Sequence, residues 1–289
     1  MRKALLFVSA VLLLGCSKSD DDDFSNEKSE EKIEAVKKFQ FIVKGDFDAA
    51  TFTRAYLQAD GQSMTDLWVF DFVGGECVQS VHQTASDADW GVPSLNLTYG
   101  SHHVYFVASR GEGATLDADG HTLIWDGPRD TFWKDYQVDV VSTSNGNRAV
   151  TLDRVATKVR IVVKDKVPED CKAVNVTPDR WYYGWDYVNG IAVAAEKKTR
   201  TIEVPSSYIG TTGSLSMSVF GLSGSNEWTT NLSITATKDA GSVIGSASIV
   251  GAPFKANRCT EYSGNLFGSA GGFDVNVSED WENPVVRTW

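Results

Sequence analysis

Histidine and cysteine are scarce in this chain, with four of each in 289 residues. None stands at metal-site spacing, so a zinc protein is not expected and no metal or other cofactor is implied. Cations are outnumbered, 27 Lys and Arg against 38 Asp and Glu, for a formal charge of −11. A basic footprint is therefore missing, and no nucleic-acid partner is expected. There is no GxSxG, P-loop or GxGxxG motif, and no sequence frame marks one carboxylate as general acid and another as base, so an enzyme is not expected. No amphipathic pattern runs longer than about three helical turns. What remains is an ordinary apolar fraction of 42%, with 25 Gly and 9 Trp, a mix that leans toward folded β structure.

The N-terminus reads as an address. Residues 1–16 are MRKALLFVSAVLLLGC. Arg2 and Lys3 give a positive start, and the apolar run Ala4 to Gly15 is too short to span a bilayer, which takes about 20 residues. Leu13-Leu14-Gly15-Cys16 resembles a bacterial lipobox, which implies cleavage between Gly15 and Cys16 and a diacylglycerol on the Cys16 sulfur. Each buried CH₂ contributes about 0.8 kcal/mol, and two or more chains give stable anchoring without a span. Behind it, Asp20, Asp21, Asp22 and Asp23 repel one another and form a solvated tether. Such a cluster also resembles the export signal of surface lipoproteins in the Bacteroidetes. Loss of residues 1–15 takes the charge from −11 to −13.

The body is a series of strands. Phe39, Phe41 and Val43 alternate with polar or outward positions. Trp68, Phe70 and Phe72 alternate while Leu67 and Val69 fill the other face, which predicts a strand buried on both sides. Further runs are His103 to Ala108, Val138 and Val140, Val159 to Val163, Ile202 and Val204, Leu215 to Val219, Leu232 and Ile234, and Phe273 to Val277. Gly74-Gly75, Asp119-Gly120, Asn145-Gly146, Asn189-Gly190 and Asp60-Gly61 supply turns. Strands at this spacing without alternating helices argue for an all-β chain of two β-sandwiches. The domain reading is a signal peptide over 1–15, a lipidated tether over 16–37, and sandwiches over 38–150 and 151–289, with Asn145-Gly146 as a hairpin turn just before the boundary.

Several residues draw attention. In DADGHT, Asp117, Asp119 and His121 lack the spacing of a calcium loop and read as a polar hairpin turn. His102 and His103 are adjacent, so they point to opposite faces of a strand, and they read as strand-edge polar residues. Cys77, Cys171 and Cys259 are an odd set at long spacings, which leaves at most one bridge open among them. The cluster from Trp181 to Tyr187 is the densest in aromatics. Alternation puts Trp181, Tyr183 and Trp185 on one face, where they serve either as an inter-domain seam or core, or as exposed rings that stack on glycan.

The order of these pieces resembles the fimbrillin and fimbria-associated lipoprotein superfamily of the Bacteroidetes. The residues that carry the resemblance are the lipobox and acidic tether, Thr53-Arg54-Ala55, the strand from Asp66 to Phe72, Leu152-Asp153-Arg154-Val155-Ala156-Thr157-Lys158, Asn257-Arg258-Cys259-Thr260, and Gly264-Asn265-Leu266-Phe267 with the late Phe273 strand and Trp281. The resemblance implies two transthyretin-like β-sandwich domains at the outer membrane surface and a role as fimbrial subunit or anchor. Its implied partners are other fimbrial subunits, the outer membrane through the lipid, and a surface glycan or protein. It also implies proteolysis after Arg54, removal of the strand Phe39 to Phe47, and its replacement by a neighbour's strand, with Gly272 to Trp289 as donor. Pro284 would interrupt a long donor strand. The alternative is a glycan-binding surface lipoprotein.

Overall fold

A computed structural model describes residues 36–44, 64–111, 113–213, 215–224, 227–268 and 273–278. In chain order the first half holds β1 Val36–Lys44, β2 Asp66–Val73, β3 Glu76–Thr84, β4 Ser94–Thr98, β5 Gly100–Arg110, β6 Thr115–Leu116, β7 Thr122–Ile124, β8 Asp130–Val140, β9 Asn147–Thr151 and β10 Asp153–Arg154. The second half holds β11 Ala156–Val163, β12 Ala173–Pro178, β13 Trp181–Asp186, β14 Ile191–Glu196, β15 Arg200–Glu203, β16 Leu215–Leu222, β17 Trp228–Thr237, β18 Val243–Phe254, β19 Cys259–Gly264 and β20 Phe273–Ser278. Among the described residues the helical elements are two single 3₁₀ turns, Ser206–Tyr208 and Asp239–Gly241.

The first sandwich stacks the sheet β4-β1-β9 on the sheet β10-β8-β5-β2-β3. Its core takes Phe39, Phe41 and Val43 from one sheet and Leu67, Val69, Val104 and Phe106 from the other. The alternation in β1 is the cause: Lys38, Gln40 and Ile42 are exposed between these buried positions. The strand begins at Val36, two residues inside the stretch expected to be tether, because Val36 and Lys37 pair with Thr98 and Leu97 of β4. It is described to Lys44, and residues 45–47 of the expected strand lie outside the described residues.

Asn145-Gly146 is not a hairpin turn. The strand after it, β9, leaves β8 and runs parallel to β1 in the opposite sheet, Gln40 opposite Asn147 through Lys44 opposite Thr151. Gly146 serves close approach instead of positive φ: its carbonyl accepts the Gln40 N–H at 2.7 Å, and a Cβ there would lie 2.3 Å from the Lys38 carbonyl oxygen. Gly146→Ala is therefore expected to push β9 away from β1 and cost about 1–3 kcal/mol, as overpacking does. A urea midpoint equal to that of the parent would refute this.

The second sandwich stacks β16-β11-β19-β20 on β15-β12-β17-β18. Val159, Ile161 and Val163 of β11 meet Val174, Val176, Leu232 and Ile234 in its core. Two sequence pieces a hundred residues apart become neighbours here. β11 runs parallel to β19, Lys158 opposite Cys259, the Arg258 carbonyl accepts the Lys158 N–H, and the Asn257 N–H donates to the Ala156 carbonyl. Asp165 then accepts the N–H groups of Leu266, Phe267 and Gly268 at 3.0, 2.6 and 3.0 Å, which fixes the bend after Gly264.

A fifth sheet, β14-β13-β7-β6, draws on both halves of the chain. β13 pairs with β7 through Gly184–Ile124, Trp185–Leu123 and Asp186–Thr122. This sheet covers the outer face of β2 and β5, so Phe70, Phe72, Tyr105 and Val107 are buried against Leu123, Trp125, Trp185 and Tyr187. That is why β2 is apolar on both faces.

Candidate functional site

β1 occupies a slot. Along its first half it is antiparallel to β4, and along its second half it is parallel to β9. The Phe41 and Val43 N–H groups donate at 3.0 Å to the Pro93 and Gly91 carbonyls ahead of β4. Phe39 and Phe41 are fully buried, and Phe41 sits edge-on to Phe106 and Tyr136. Each such side chain contributes about 1.5–3 kcal/mol on burial. Without β1, β4 and β9 would both expose unpaired backbone and a row of apolar holes at alternate positions, the arrangement that accepts an added strand. The last described strand, β20, is antiparallel to β19 at the edge of its sheet, Phe273 opposite Gly264 through Ser278 opposite Cys259.

The aromatic cluster divides between two cores. Trp181 is 3% exposed and belongs to the core of the second sandwich, where its Nε1–H donates to the Phe220 carbonyl at 2.5 Å. Trp185 is fully buried in the seam between β2, β5 and the fifth sheet, 5.8 Å from Trp133. Tyr187 stacks on Phe70 at 4.1 Å in the same seam. Tyr183 is half-buried, with the Lys198 ammonium 5.2 Å from its ring. The three rings do not form one exposed face. Buried indoles have no face to offer a sugar, and this corrects the expectation that Trp181 and Trp185 could stack on glycan.

The histidine pair also differs from expectation. β5 is an interior strand, paired on both sides by β2 and β8, so neither residue is at an edge. His102 and Asp71 are each about 1% exposed and lie 2.7 Å apart, Nδ1 to Oδ1. The other ring nitrogen is 3.0 Å from the Thr98 carbonyl. The Thr98 hydroxyl lies 3.3 Å from the same nitrogen, so both neighbours of Nε2 come from the last residue of β4. Burial pushes the Asp71 carboxyl above the ordinary range, and the hydrogen bond and charge of His102 oppose it. The pair thus ties β2 and β5 to the end of β4 and is walled off from ligand. His103 faces the other way, half-exposed at 3.2 Å from Asp135.

In DADGHT, Asp119 accepts from the His121 N–H at 2.9 Å and from the Thr122 hydroxyl at 3.2 Å, which pulls its carboxyl below the ordinary range. The segment is the β6–β7 turn, with Gly120 at φ 69°. Cys77, Cys171 and Cys259 carry thiols, with no bridge among these three. Gly15, Cys16, Asp20, Asp21, Asp22, Asp23 and Arg54 lie outside the described residues. Among the described residues no helix is long and apolar enough to cross a membrane.

One group that sequence reading did not single out is Asp130. It is buried between two guanidiniums, with Arg154 Nε at 3.0 Å and Arg110 at 3.4 Å, and Arg154 lies 4.5 Å over the Phe132 ring. Arg154 belongs to the Leu152 to Lys158 segment, but its partner is 24 residues away on another strand, and no local pattern connects the two.

No curated protein matches the chain. Solved structures share its fold at low identity. A candidate polysaccharide-binding protein from Bacteroides thetaiotaomicron superposes with a TM-score of 0.51 at 9% identity, over 84% of this chain and 96% of the other. A candidate adhesin from Bacteroides ovatus gives 0.50 at 11% identity, over 83% and 92%. The tip fimbrial protein Mfa3 from Porphyromonas gingivalis, with its C-terminus truncated, gives 0.46 at 11%, over 85% and 100%. The all-β sandwich architecture is thus shared with the first two of these structures. A family described as of unknown function, DUF6562, matches residues 112–288, which hold the whole fifth sheet and the second sandwich. With more than half of its length matched, the chain belongs to the DUF6562 family.

Proposed function

We propose that this protein is a cell-surface lipoprotein of adhesive fimbriae, a subunit or an anchor, joined to its neighbours by strand donation. The observation that carries the reading is the seat of β1: a first strand held on both sides, with alternate side chains plugging a core that the rest of the chain has otherwise completed. Its support is the fold shared with a candidate adhesin, the resemblance of the quoted motifs to fimbrial lipoproteins, and the position of Arg54 between β1 and β2. Residues 38–150 and 151–289 act in this reading as two domains. Cys16 carries the lipid, Asp20 to Asp23 direct surface export, and the outer membrane and other subunits are the partners. No catalytic step is assigned.

In a subunit that polymerises, cleavage after Arg54 frees β1, and the vacated slot takes a strand from the next copy. The surface-assembled protein is then expected to begin at Ala55, and Arg54→Ala to abolish assembly while leaving the folded monomer intact. Edman sequencing of polymer from the cell surface reads this directly. A chain beginning at Cys16 in assembled material would overturn donation by this route and leave the anchor reading.

A further inference from the structure

The chain is acidic, yet one cleft in it is basic. A cavity of about 780 Å³ opens between the β7–β8 connection, the β14–β15 connection and the outer face of β11 and β16, within the range of about 300–1,000 Å³ typical of ligand sites. Six cations line it: Arg110, Arg129, Lys158, Arg160, Lys198 and Arg200. The carboxylates on its wall are Asp126 and Asp130. Asp130 is engaged by Arg110 and Arg154, and Asp126 by Arg129 at 2.6 Å. Arg160 and Lys198 also pair with Glu261 and Glu196, which stand outside the lining, so the lining itself holds six cations against two carboxylates while the chain as a whole carries −11.

The floor is built for side-chain recognition. Lys158 and Arg160 are two apart on β11 and so share a face, with Phe220 and Ser218 opposite them on β16. Arg160 donates to the Ser216 hydroxyl at 3.1 Å and is held by Glu261, which does not line the cleft, at 3.4 Å. Lys198 donates to the Asp126 carbonyl, which ties the β14–β15 connection to the β7–β8 connection across the opening. Arg200 is exposed on the rim. Ser216, Ser218, Thr199 and Tyr208 add hydroxyl-bearing side chains to the lining. β11 is paired on both sides, by β16 and β19, so the floor offers no free backbone edge to an incoming peptide strand.

We propose that this cleft binds an acidic polysaccharide, a chain whose carboxylate or sulfate groups meet the cations and whose hydroxyls meet the Ser, Thr and Tyr hydroxyls. The inference rests on the surface-display part of the proposed function and not on strand donation. It moves glycan recognition from the buried indoles to a charged site.

The test is binding of purified full-length protein to three immobilised polymers, heparin for sulfate, polygalacturonate for carboxylate and dextran as neutral control, with poly-glutamate as the peptide polyanion. Heparin or polygalacturonate should bind, dextran should not, and poly-glutamate should bind at least about tenfold more weakly. Arg160→Gln with Arg200→Gln should weaken the acidic polysaccharide about tenfold or more. Lys172→Gln with Lys238→Gln, the same charge change on exposed residues outside the cleft lining, should change it less than about twofold. Sulfate or carboxylate preference identifies the source of the charge. Equal loss in both double variants, equal binding of poly-glutamate, or no binding of either acidic polysaccharide would each overturn the proposal. Surface material that begins at Cys16 would remove strand donation and leave this result unchanged, so the two failures are separable.

Discussion

Asp130→Ala is expected to cost about 3–5 kcal/mol of stability, the range found when one partner of a buried ion pair is removed. The carboxylate sits between Arg110 and Arg154, whose side chains are 6% and 8% exposed. Its removal leaves two positive charges in low dielectric with their shared counter-charge gone. A domain of this kind has about 5–15 kcal/mol in total, so the loss would be a large fraction of it. Asp130→Asn keeps the shape and loses the charge, and it should be nearly as damaging. A further change of Arg110 and Arg154 to Met in the Asp130→Ala background should recover much of the loss, because a buried charge is replaced by packing. Urea unfolding with an unchanged slope reads this series. An Asp130→Ala midpoint within about 1 kcal/mol of the parent would show that the triad is solvated in practice.

The second large effect is expected at His102. His102→Ala leaves the Asp71 carboxyl buried without its ring partner, and should cost about 3–5 kcal/mol at neutral pH. Asp71→Asn keeps a hydrogen-bonding neighbour for Nδ1 and should cost less than about 1.5 kcal/mol. The pH dependence separates the two. Burial already holds Asp71 above its unfolded value of 3.8. A carboxyl raised in the folded state contributes stability below the unfolded pKa, and that contribution is lost as pH climbs through the window above it. Without His102 to oppose burial, the window extends upward. The His102→Ala protein should therefore be closer to the parent at about pH 4 than at about pH 7, the reverse of an ordinary surface carboxylate. A deficit independent of pH would mean that the loss is packing alone.

Much of the fold could be read from single strands. The alternation of Phe39, Phe41 and Val43, and of Val159, Ile161 and Val163, reports one buried face, and that is how the strands sit. The doubly apolar β2 was equally plain, but its sequence could not say that β7 and β13 cover the second face, since the partners are 50 and more residues away. Asn145-Gly146 misled because glycine answers two needs, positive φ and close approach, with the same letter. Adjacency puts His102 and His103 on opposite faces, as they are, but cannot show that β5 is interior, because that depends on β2 and β8 and not on neighbours in sequence. β18 carries no sequence signal of a strand, because its Gly, Ser and Ala residues give almost no hydrophobic alternation and Val250 is 83% exposed. The basic cleft was invisible for the same reason as the Asp130 triad: its cations are scattered from Arg110 to Arg200, without a run or a spacing.

The register of β1 against β9 has a consequence for the order in which the protein is made. Gln40 pairs with Asn147, and at about 5–20 residues per second the ribosome needs about 5–20 s to supply that partner. β7 waits for β13 in turn, and β11 for β19. Each half of the chain therefore spends seconds with a strand synthesised and its far neighbour missing, a delay that loop-closure entropy lengthens further. During that interval the parallel side of β1 is an open edge, and a growing chain with open edges has to be kept from pairing with other chains until β9 arrives.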